Sequence, residues 1–358
     1  MQIQKKIQMS FSAPYVEKRA RRHEFLRQME QLIDWGKLEK EINKIYKRGK
    51  SVDGRPSYPG ILLFKMQLLQ NWYQLSDMGV EDFVNDSISA MHFCGLQIED
   101  DVPDHSTLSR FRSELVTKKA YDRLLRKINK QLKTKGIMIK EGKSMVDASI
   151  TDSPFKPKGK TEYEIAEDRK EDERDEKERE KEEHTQKLIK KAKPGVDSQG
   201  RWVKKGGKLH YGYKKQIVTD EDGMVEAVHT TAANEHDSTG LKPVMEKVPK
   251  SKKREVYADK GYKVPDNDKY LKEEGIKNRI QHKAYRNRPL TNWEKTFNKL
   301  ISSQRYVVER TFGGMKRWFG AGKAKYKGLV KVHGQHVMEA IAYNMKRSPG
   351  LIAVRCAQ

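Results

Sequence analysis

Cysteine and long apolar runs are scarce in this chain of 358 residues, and each scarcity excludes a class of protein. The two cysteines, Cys94 and Cys356, form no CxxC motif and give no basis for a disulfide framework. The longest apolar run, ILLFKMQLL, is interrupted by Lys65 and is far too short to span a bilayer. The opening residues MQIQKKIQMSFS lack the apolar region of a signal peptide. We therefore expect a protein of a reducing cytoplasm.

Several common cofactor and catalytic motifs are also missing. The sequence contains no P-loop, no Rossmann fingerprint and no Gly-x-Ser-x-Gly motif. His333 and His336 in HGQH have no matching cysteines or histidines, so we do not expect zinc. Nucleotide-driven chemistry and serine-hydrolase chemistry therefore have no support in the sequence.

Acidic residues are fewer than basic ones, 50 against 74, which gives a net charge of +24. Nucleic acid is the partner that this excess favours, because Lys and Arg neutralise phosphates, and a membrane surface is the alternative. Residues 161–183 hold 13 acids and 6 bases, a local charge of −7, so the rest of the chain carries +31. We interpret this stretch as part of a solvated, charged insertion at about 158–205.

Apolar spacing divides the chain into two parts. Residues 1–140 have helical patterns, as in YVEKRARRHEFLRQMEQLIDW, and are predicted to form an all-helical N-terminal domain. Residues 141–358 mix strands and helices. KSMVDASIT and REVYADKGY read as strands, and HYGYKKQIVTDEDGMVEAVHTT reads as two strands joined by an Asp-Gly turn. Helices are expected at 266–274, 291–319 and 335–346.

The stretch RYVVERTFGGMKRWFG has one acid, Glu309, among several cations. At about 100° per residue, Arg305, Glu309 and Lys316 share one side of a helix. A second side is apolar, with Val307, Val308, Phe312, Met315 and Phe319. Spacing alone favours a surface salt bridge between Arg305 and Glu309, and Gly313 and Gly314 predict a weak or kinked point in the helix.

The surroundings of this stretch favour a functional role. Residues 277–331 hold 15 bases and two acids, Glu294 and Glu309. Aromatic residues lie among the bases: Tyr285, Trp293, Phe297, Tyr306, Trp318 and Tyr326. Cations for phosphates and aromatic rings for bases are typical of a surface that processes DNA, although several of these rings are expected in the core.

Two aspartates add candidate metal ligands. Asp147 lies within the apolar, alternating strand SMVDASI, where an acid is costly unless it is paired or bound to metal. Asp259 ends the strand VYAD at a tight turn, and ligand sites in open α/β sheets lie beyond the carboxyl ends of strands. Three converging carboxylates, Asp147, Asp259 and Glu309, would suit Mg²⁺. Each aspartate alone could instead be a turn or cap residue.

Taken together, the motifs resemble DDE transposases of bacterial insertion sequences, the insertion sequence five family within the four/five group. MVDASI, KKGGKLHYGYK, TTAANEHDS, YADKGY and RYVVERTFGGMKRWFG occur in that family's order, and GRPSYPGILLFKMQLLQNWYQLSD and DHSTLSRFR resemble its helical N-terminal part. The resemblance covers about residues 40–345. It implies an α/β, RNase H-like catalytic domain, a mixed sheet flanked by helices, at 141–358. The helical domain at 1–140 would then serve DNA binding or dimerisation.

The resemblance also implies site residues. The catalytic, metal-binding triad would be Asp147, Asp259 and Glu309, holding two Mg²⁺ ions, with Mn²⁺ as a possible substitute. Arg305 and Lys316 match the family signature Tyr-x2-Arg-x3-Glu-x6-Lys, whereas the Tyr position holds Ser302. Arg305, Lys316, Arg310 and Arg317 are the expected DNA-phosphate contacts.

The function that follows is a DNA transposase. It would bind the terminal inverted repeats of its element and catalyse strand cleavage and transfer into double-stranded target DNA. We expect a homodimer or larger assembly on DNA, in a bacterial or archaeal cytoplasm and associated with the nucleoid. An RNase H-like nuclease without strand transfer, or a DNA-binding regulator derived from a transposase, are the alternatives.

Overall fold

The computed structural model describes residues 21–46, 57–139, 142–158, 163–165, 188–190, 195–251 and 253–356. The part before residue 140 is helical, as predicted. Its helices are α1 (Arg21–Leu32), α2 (Trp35–Ile45), α3 (Gly60–Trp72), α4 (Asp77–Asp86), α5 (Ile88–Cys94), α6 (His105–Thr117) and α7 (Ala120–Thr134). Side-chain caps begin several of them; Asp104, for example, accepts the backbone N–H of Thr107 at the start of α6.

The second part is built on a mixed sheet. Its strands are β1 (Lys143–Asp152), β4 (Arg201–Lys205), β5 (Lys208–Thr219), β6 (Val225–Ala232), β7 (Glu255–Ala258) and β8 (Lys277–Ile280). The order is β4-β5-β1-β7-β8, and β6 pairs with β5. Strand β5 is antiparallel to β4, β1 and β6, whereas β1, β7 and β8 run parallel to one another. The predicted strands and the Asp-Gly hairpin turn between β5 and β6 are confirmed.

Helices cover both faces of this sheet. One face, with Met145, Ile217 and Val228, packs on α10 (Asn292–Phe319) and α11 (Leu329–Cys356). The other face, with Val146 and Val218, packs on α8 (Leu241–Met245) and α9 (Pro265–Glu273). A mixed sheet flanked by helices is the architecture that the family resemblance implies. Alternation along β1 therefore directs successive side chains into two separate cores.

The larger core extends into the N-terminal helices. Buried side chains of α1 to α7 belong to the same hydrophobic cluster as those of α10 and α11. The indole N–H of Trp72 on α3 donates to the carbonyl of Ala342 on α11 at 3.0 Å. The division at residue 140 remains a prediction, and the two parts share packing whichever way the boundary is drawn.

The predicted insertion at about 158–205 lies largely outside the described residues, which include only three residues of the acidic stretch 161–183. Within the insertion, β2 (Tyr163–Ile165) pairs antiparallel with β3 (Leu188–Lys190). Among the described helices, none combines the length and the apolar character that crossing a bilayer requires.

Helix α10 carries the stretch with the lone acid. A capping box formed by Thr291 and Glu294 begins it, and Gly320 ends it at a positive φ of 62°. The helix continues through Gly313 and Gly314, and a weak or kinked point at this pair remains a prediction. Gly314 packs against the ring of Tyr343, where a β-carbon would lie 3.0 Å from a ring carbon. Gly314 thus lets α11 approach closely, whereas a β-carbon at Gly313 would meet no atom within 4 Å.

Candidate active site

Asp147 and Asp259 lie side by side where β1 and β7 run in parallel. Val146 is the register partner of Ala258, and the residues that follow them in the chain are Asp147 and Asp259. The Asp147 side chain retains about 20% exposure, and one of its oxygens accepts the N–H of Ala148 at 2.8 Å. An acid inside an otherwise buried strand therefore has one open side, toward the carboxyl end of β7.

Asp259 also acts as a cap residue, which is the alternative role that the sequence left open for it. Its carboxylate caps the short 3₁₀ turn Lys260–Tyr262 and accepts the N–H of Gly261 at 2.5 Å. Tyr262 is 1% exposed, and its hydroxyl has no hydrogen-bond partner among the described residues. Burial raises the pKa of Tyr262 well above the ordinary value, and the charges of Asp147, Asp237 and Asp259 add to this rise. Four side chains therefore share one strongly acidic neighbourhood.

Arg305 connects Asp147 to Glu309. Its guanidinium lies 3.3 Å from the Asp147 carboxylate and 4.0 Å from that of Glu309. The Arg305 side chain is 10% exposed, whereas that of Glu309 is 59% exposed. Spacing alone had favoured an Arg305–Glu309 surface pair; the shorter contact of Arg305 is instead with the aspartate of β1. Arg305, which is buried on α10, thus links Glu309 of the helix to Asp147 of the sheet.

The charge balance at Asp147 follows from these contacts. Burial raises the pKa of the Asp147 carboxyl, and the neighbouring Asp259 raises it further. Arg305, the Ala148 N–H and Lys205 act in the opposite direction. Because burial is the larger effect, the carboxylate is a costly anion that gains from an additional cation.

Lys316 lies about two turns after Glu309 on α10 and interacts with other cations. Partial burial lowers the pKa of Lys316, and the positive charges of Lys215 and Lys205 lower it further, against Asp152. Lys205 acts on both Asp147 and Lys316, which links the tip of the β4–β5 hairpin to the site. Sequence reasoning missed Lys205; the only signal was the KKGGK turn, in which Gly206 and Gly207 take positive φ angles.

Arg310 and Arg317 are not brought to the acids in the same way. Arg310 donates to the carbonyl of Asp222, in the turn between β5 and β6, at 3.1 Å, and lies over the Tyr306 ring. Arg317 is exposed. Both face solvent on the basic helix, but Arg310 is directed toward the turn before β6. Their assignment as phosphate contacts remains a prediction.

The donors at this site fit a hard divalent cation in their chemistry. Carboxylate oxygens are the ligands that Mg²⁺ prefers, and two of the three come from adjacent parallel strands. Within the described residues, no three His, Cys, Asp or Glu side chains are gathered closely enough to hold a metal as they stand. Arg305 lies among the acids and contributes the positive charge there. Glu309, being exposed, is the acid with freedom to approach the other two.

Comparisons with known proteins now bear on this geometry. A family model described as a transposase DDE domain matches residues 183–345, and one described as a transposase domain (DUF772) matches residues 14–114. The transposase for insertion sequence element IS1106 of Neisseria meningitidis serogroup B is 35% identical over 240 residues, which are 67% of this chain and 76% of that protein. The chain belongs to the DDE transposases. Asp259 and Glu309 fall inside the matched DDE region, and Asp147 precedes it.

A solved structure is also similar, although weakly. The piggyBac transposase in a synaptic complex with hairpin DNA, determined by cryo-EM, is 10% identical, with a TM-score of 0.40 over 93% of this chain and 74% of that one. A TM-score this low supports no argument about mechanism.

Family membership establishes the coarse function. The protein is a DNA transposase with an RNase H-like catalytic fold, an enzyme of DNA cleavage and strand transfer. DDE transposases act on DNA and normally use divalent metal ions. The predicted fold class and function are therefore confirmed, whereas the individual site residues are matters for proposal.

Proposed function

We propose that Asp147, Asp259 and Glu309 are the catalytic carboxylates of this transposase and bind its divalent metal, Mg²⁺ in two sites with Mn²⁺ as a substitute. The observation that carries the proposal is the adjacency of Asp147 and Asp259 across parallel strands, with Glu309 joined to Asp147 through Arg305. When bound, the ions would activate water and stabilise the leaving oxygen of a phosphodiester. Three carboxylates against one guanidinium leave net negative charge for them to neutralise.

The reaction has two balanced steps. Water attacks a phosphorus atom at the end of the element, the bond to the 3′ oxygen breaks, and that oxygen leaves as a 3′-OH. The freed 3′-OH then attacks a target phosphodiester, and the target's own 3′ oxygen leaves. The element's end becomes joined to the target with no oxidant or energy source consumed.

The chain's other residues hold and orient these groups. Arg305 fixes the Asp147 carboxylate by a 3.3 Å contact and keeps α10 aligned with β1. Lys316 and Lys205 are proposed to contact phosphates beside the acids, and the charge of Lys205 acts on both Asp147 and Lys316. Arg310 and Arg317 extend the same basic helix and are proposed to contact DNA beyond the reacting phosphate.

Isosteric removal of single charges tests the triad. Asp147→Asn, Asp259→Asn and Glu309→Gln should each lose cleavage and strand transfer by about 100-fold or more, since a neutral amide does not replace a metal-binding carboxylate. Binding to labelled end DNA should persist. The matched control is Glu273→Gln, an exposed acid of α9 paired with Lys269 at 4.0 Å. Strand transfer near the wild-type rate in any of the three variants would remove that residue from the triad.

A second measurement separates strand transfer from simple hydrolysis. A supercoiled target and pre-cleaved ends, with Mg²⁺, should give joined products, whereas a nuclease would give only cleaved ends. Because two ends must be joined, we also propose a dimer or larger assembly on DNA. Light scattering of the complex with end DNA checks this, and one chain per complex would contradict it. Recognition of terminal inverted repeats and association with the nucleoid belong to the same proposal.

A further inference from the structure

A second basic site lies outside the candidate active site. It is a cleft of about 410 Å³ between the start of α7, strand β6 and the segment that follows α8. Its charged lining includes Lys118, Lys119, Arg123, Arg126 and Lys247 as cations, with Asp122 and Glu226 as acids. The surrounding sequence is unusually basic, since residues 118–135 hold eight bases and one acid. A cleft of this composition favours an anionic ligand.

The two acids of the cleft are already neutralised. Asp122 lies 3.1 Å from the Lys247 ammonium and 3.0 Å from a ring nitrogen of His333. Glu226 is almost fully buried and lies 2.6 Å from both Lys133 and Arg254. Neither carboxylate is therefore available to balance the cations that face the opening.

Three of the cations have no such partner. Lys118 is paired with Glu114, but Lys119, Arg123 and Arg126 make no ion pair with any residue that the structure describes. Arg123 is half-buried and donates to the carbonyl of Lys118 at 3.4 Å, while Lys119 and Arg126 are exposed. These cations are therefore accessible to an anionic ligand, and no described acid competes with it for them.

The three unpaired cations have a regular spacing. Arg123 and Arg126 are three residues apart on one side of α7, and Lys119, with a φ of 48°, immediately precedes the helix. The row is about 10 Å long at 1.5 Å per residue, which corresponds to about three base-pair steps of 3.4 Å. A row of cations at this scale suits a run of phosphates better than one small anion.

The cleft is separate from the acids. Helix α7 lies along the edge strand β6, where the amide of Asn129 donates to the carbonyl of Val225 at 3.0 Å. Strand β5 lies between β6 and β1, so β6 is about 10 Å from the strand that carries Asp147, and α7 is further away. A ligand in the cleft therefore occupies a different place from the reacting phosphate.

We propose that this cleft binds the phosphate backbone of duplex DNA, through Lys119, Arg123 and Arg126, as a contact additional to the active site. The inference rests on the DNA substrate of the proposed function and adds a second point at which duplex is held. Phosphate contacts carry no sequence information, so the contact would be independent of base sequence. Its contribution is to affinity and salt dependence at any sequence.

The test uses a fluorescein-labelled duplex of 40 base pairs without element ends, and the full chain. Binding is measured by anisotropy between about 50 and 200 mM salt for wild type and for the triple variant Lys119→Gln, Arg123→Gln, Arg126→Gln. Each lost phosphate contact should lower the slope of log K against log salt by about 0.9. Three contacts would lower it by about 2.7, and each contact corresponds to a 3.5-fold change in affinity over that salt range.

Two matched proteins make the result specific. The triple variant Lys40→Gln, Lys253→Gln, Lys272→Gln removes the same charge from exposed lysines scattered over α2, the loop before β7 and α9. The variant Lys119→Arg, Arg123→Lys, Arg126→Lys keeps the charge in the cleft and should keep the wild-type slope. Circular dichroism melts establish that each variant folds. If the cleft variant retains the wild-type slope, or if the scattered variant loses as much, the cleft does not bind the backbone.

The proposal fails separately from the triad. Strand transfer at saturating protein should persist in the cleft variant, because its acids are untouched, whereas triad variants should lose transfer and keep the wild-type salt slope. Single-stranded RNA of equal length serves as a competitor. The RNA should displace labelled duplex no better than unlabelled duplex does. If the RNA displaces it from the wild type at concentrations at which unlabelled duplex has no effect, and fails to displace it from the cleft variant, the cleft is an RNA site and the proposal is overturned.

Discussion

A buried ion pair joins β5 to α11, and its loss allows a quantitative test of the packing. Lys215 and Glu339 have side chains that are each 1% exposed, and their charged atoms lie 2.5 Å apart. Gln335 donates to the second oxygen of Glu339 at 2.8 Å, and the carbonyl of Ala321 accepts from Lys215 at 3.3 Å. The charge of Lys215 also lowers the pKa of Lys316. This pair therefore supports the end of α10 beside the candidate site.

Glu339→Gln removes the negative charge and keeps the shape of the side chain. The ammonium of Lys215 is then buried beside a neutral amide and the carbonyl of Ala321, with no carboxylate to balance its charge. Breaking one side of a buried pair typically costs about 3 to 5 kcal/mol. Domains are stable by only about 5 to 15 kcal/mol, so the variant should be close to unfolding.

Urea unfolding of the wild type and of Glu339→Gln, followed by circular dichroism, measures this loss of stability.

The control removes both charges. Lys215→Met combined with Glu339→Gln leaves no unpaired ammonium and should recover most of the lost stability. A deficit below about 1 kcal/mol for Glu339→Gln alone would mean that water reaches the pair and that the site is not the dry interior described here. An equally large deficit in the double variant would refute the unpaired ammonium as its cause.

The remaining predictions concern single positions. Gly313→Ala should raise the free energy of unfolding by about 0.5 to 1 kcal/mol, because a β-carbon there meets no atom within 4 Å in the middle of a helix; urea titration checks this. Gly212→Ala should lower it by more than about 2 kcal/mol, since the β-carbon would lie 2.3 Å from the carbonyl oxygen of Thr151 and φ is +152°; the same titration showing no loss would contradict the structure at this turn. Burial raises the pKa of Asp220 to about 7. The protonated carboxyl therefore contributes up to about 4 kcal/mol to the free energy of unfolding below about pH 4, and this contribution is lost as the pH rises toward 7. Asp220→Asn should flatten the dependence of stability on pH between these values. Arg305→Lys keeps the charge but shortens the fork that reaches two acids, and strand transfer should fall by about 10-fold with DNA affinity within about twofold; a wild-type rate would mean that charge alone suffices.

The sequence predicted those parts of the structure whose cause is local. Alternation predicted β1 with Asp147 inside it, the Asp-Gly dipeptide predicted the β5–β6 hairpin, and helical spacing predicted the buried side of α10 through Val308 and Met315. The helix predicted at 335–346 is longer in the structure, where α11 runs from Leu329 to Cys356 although Pro349 lies within it. Local patterns give the elements well and their ends less well.

Contacts between distant residues were beyond the same reasoning. Arg305 and Asp147 are 158 positions apart, and nothing in either segment indicates that they meet. Their contact depends on how α10 crosses the sheet, which is decided by side-chain packing over the whole face. Lys205 was missed for a similar reason, because its influence on Asp147 depends on the path of a hairpin rather than on its composition.

The lone acid on α10 has a physical explanation in the charges around it. Asp147, Asp259 and Glu309 carry three negative charges, and Arg305 offsets one of them, so the centre of the site repels a phosphate. Lys205 and Lys316 at its margin attract the backbone toward that centre without removing the repulsion. In the proposed active site, a divalent cation would reverse the sign of the charge where the phosphate reacts. We therefore propose that Glu309 makes close approach of DNA depend on the metal that the chemistry also requires.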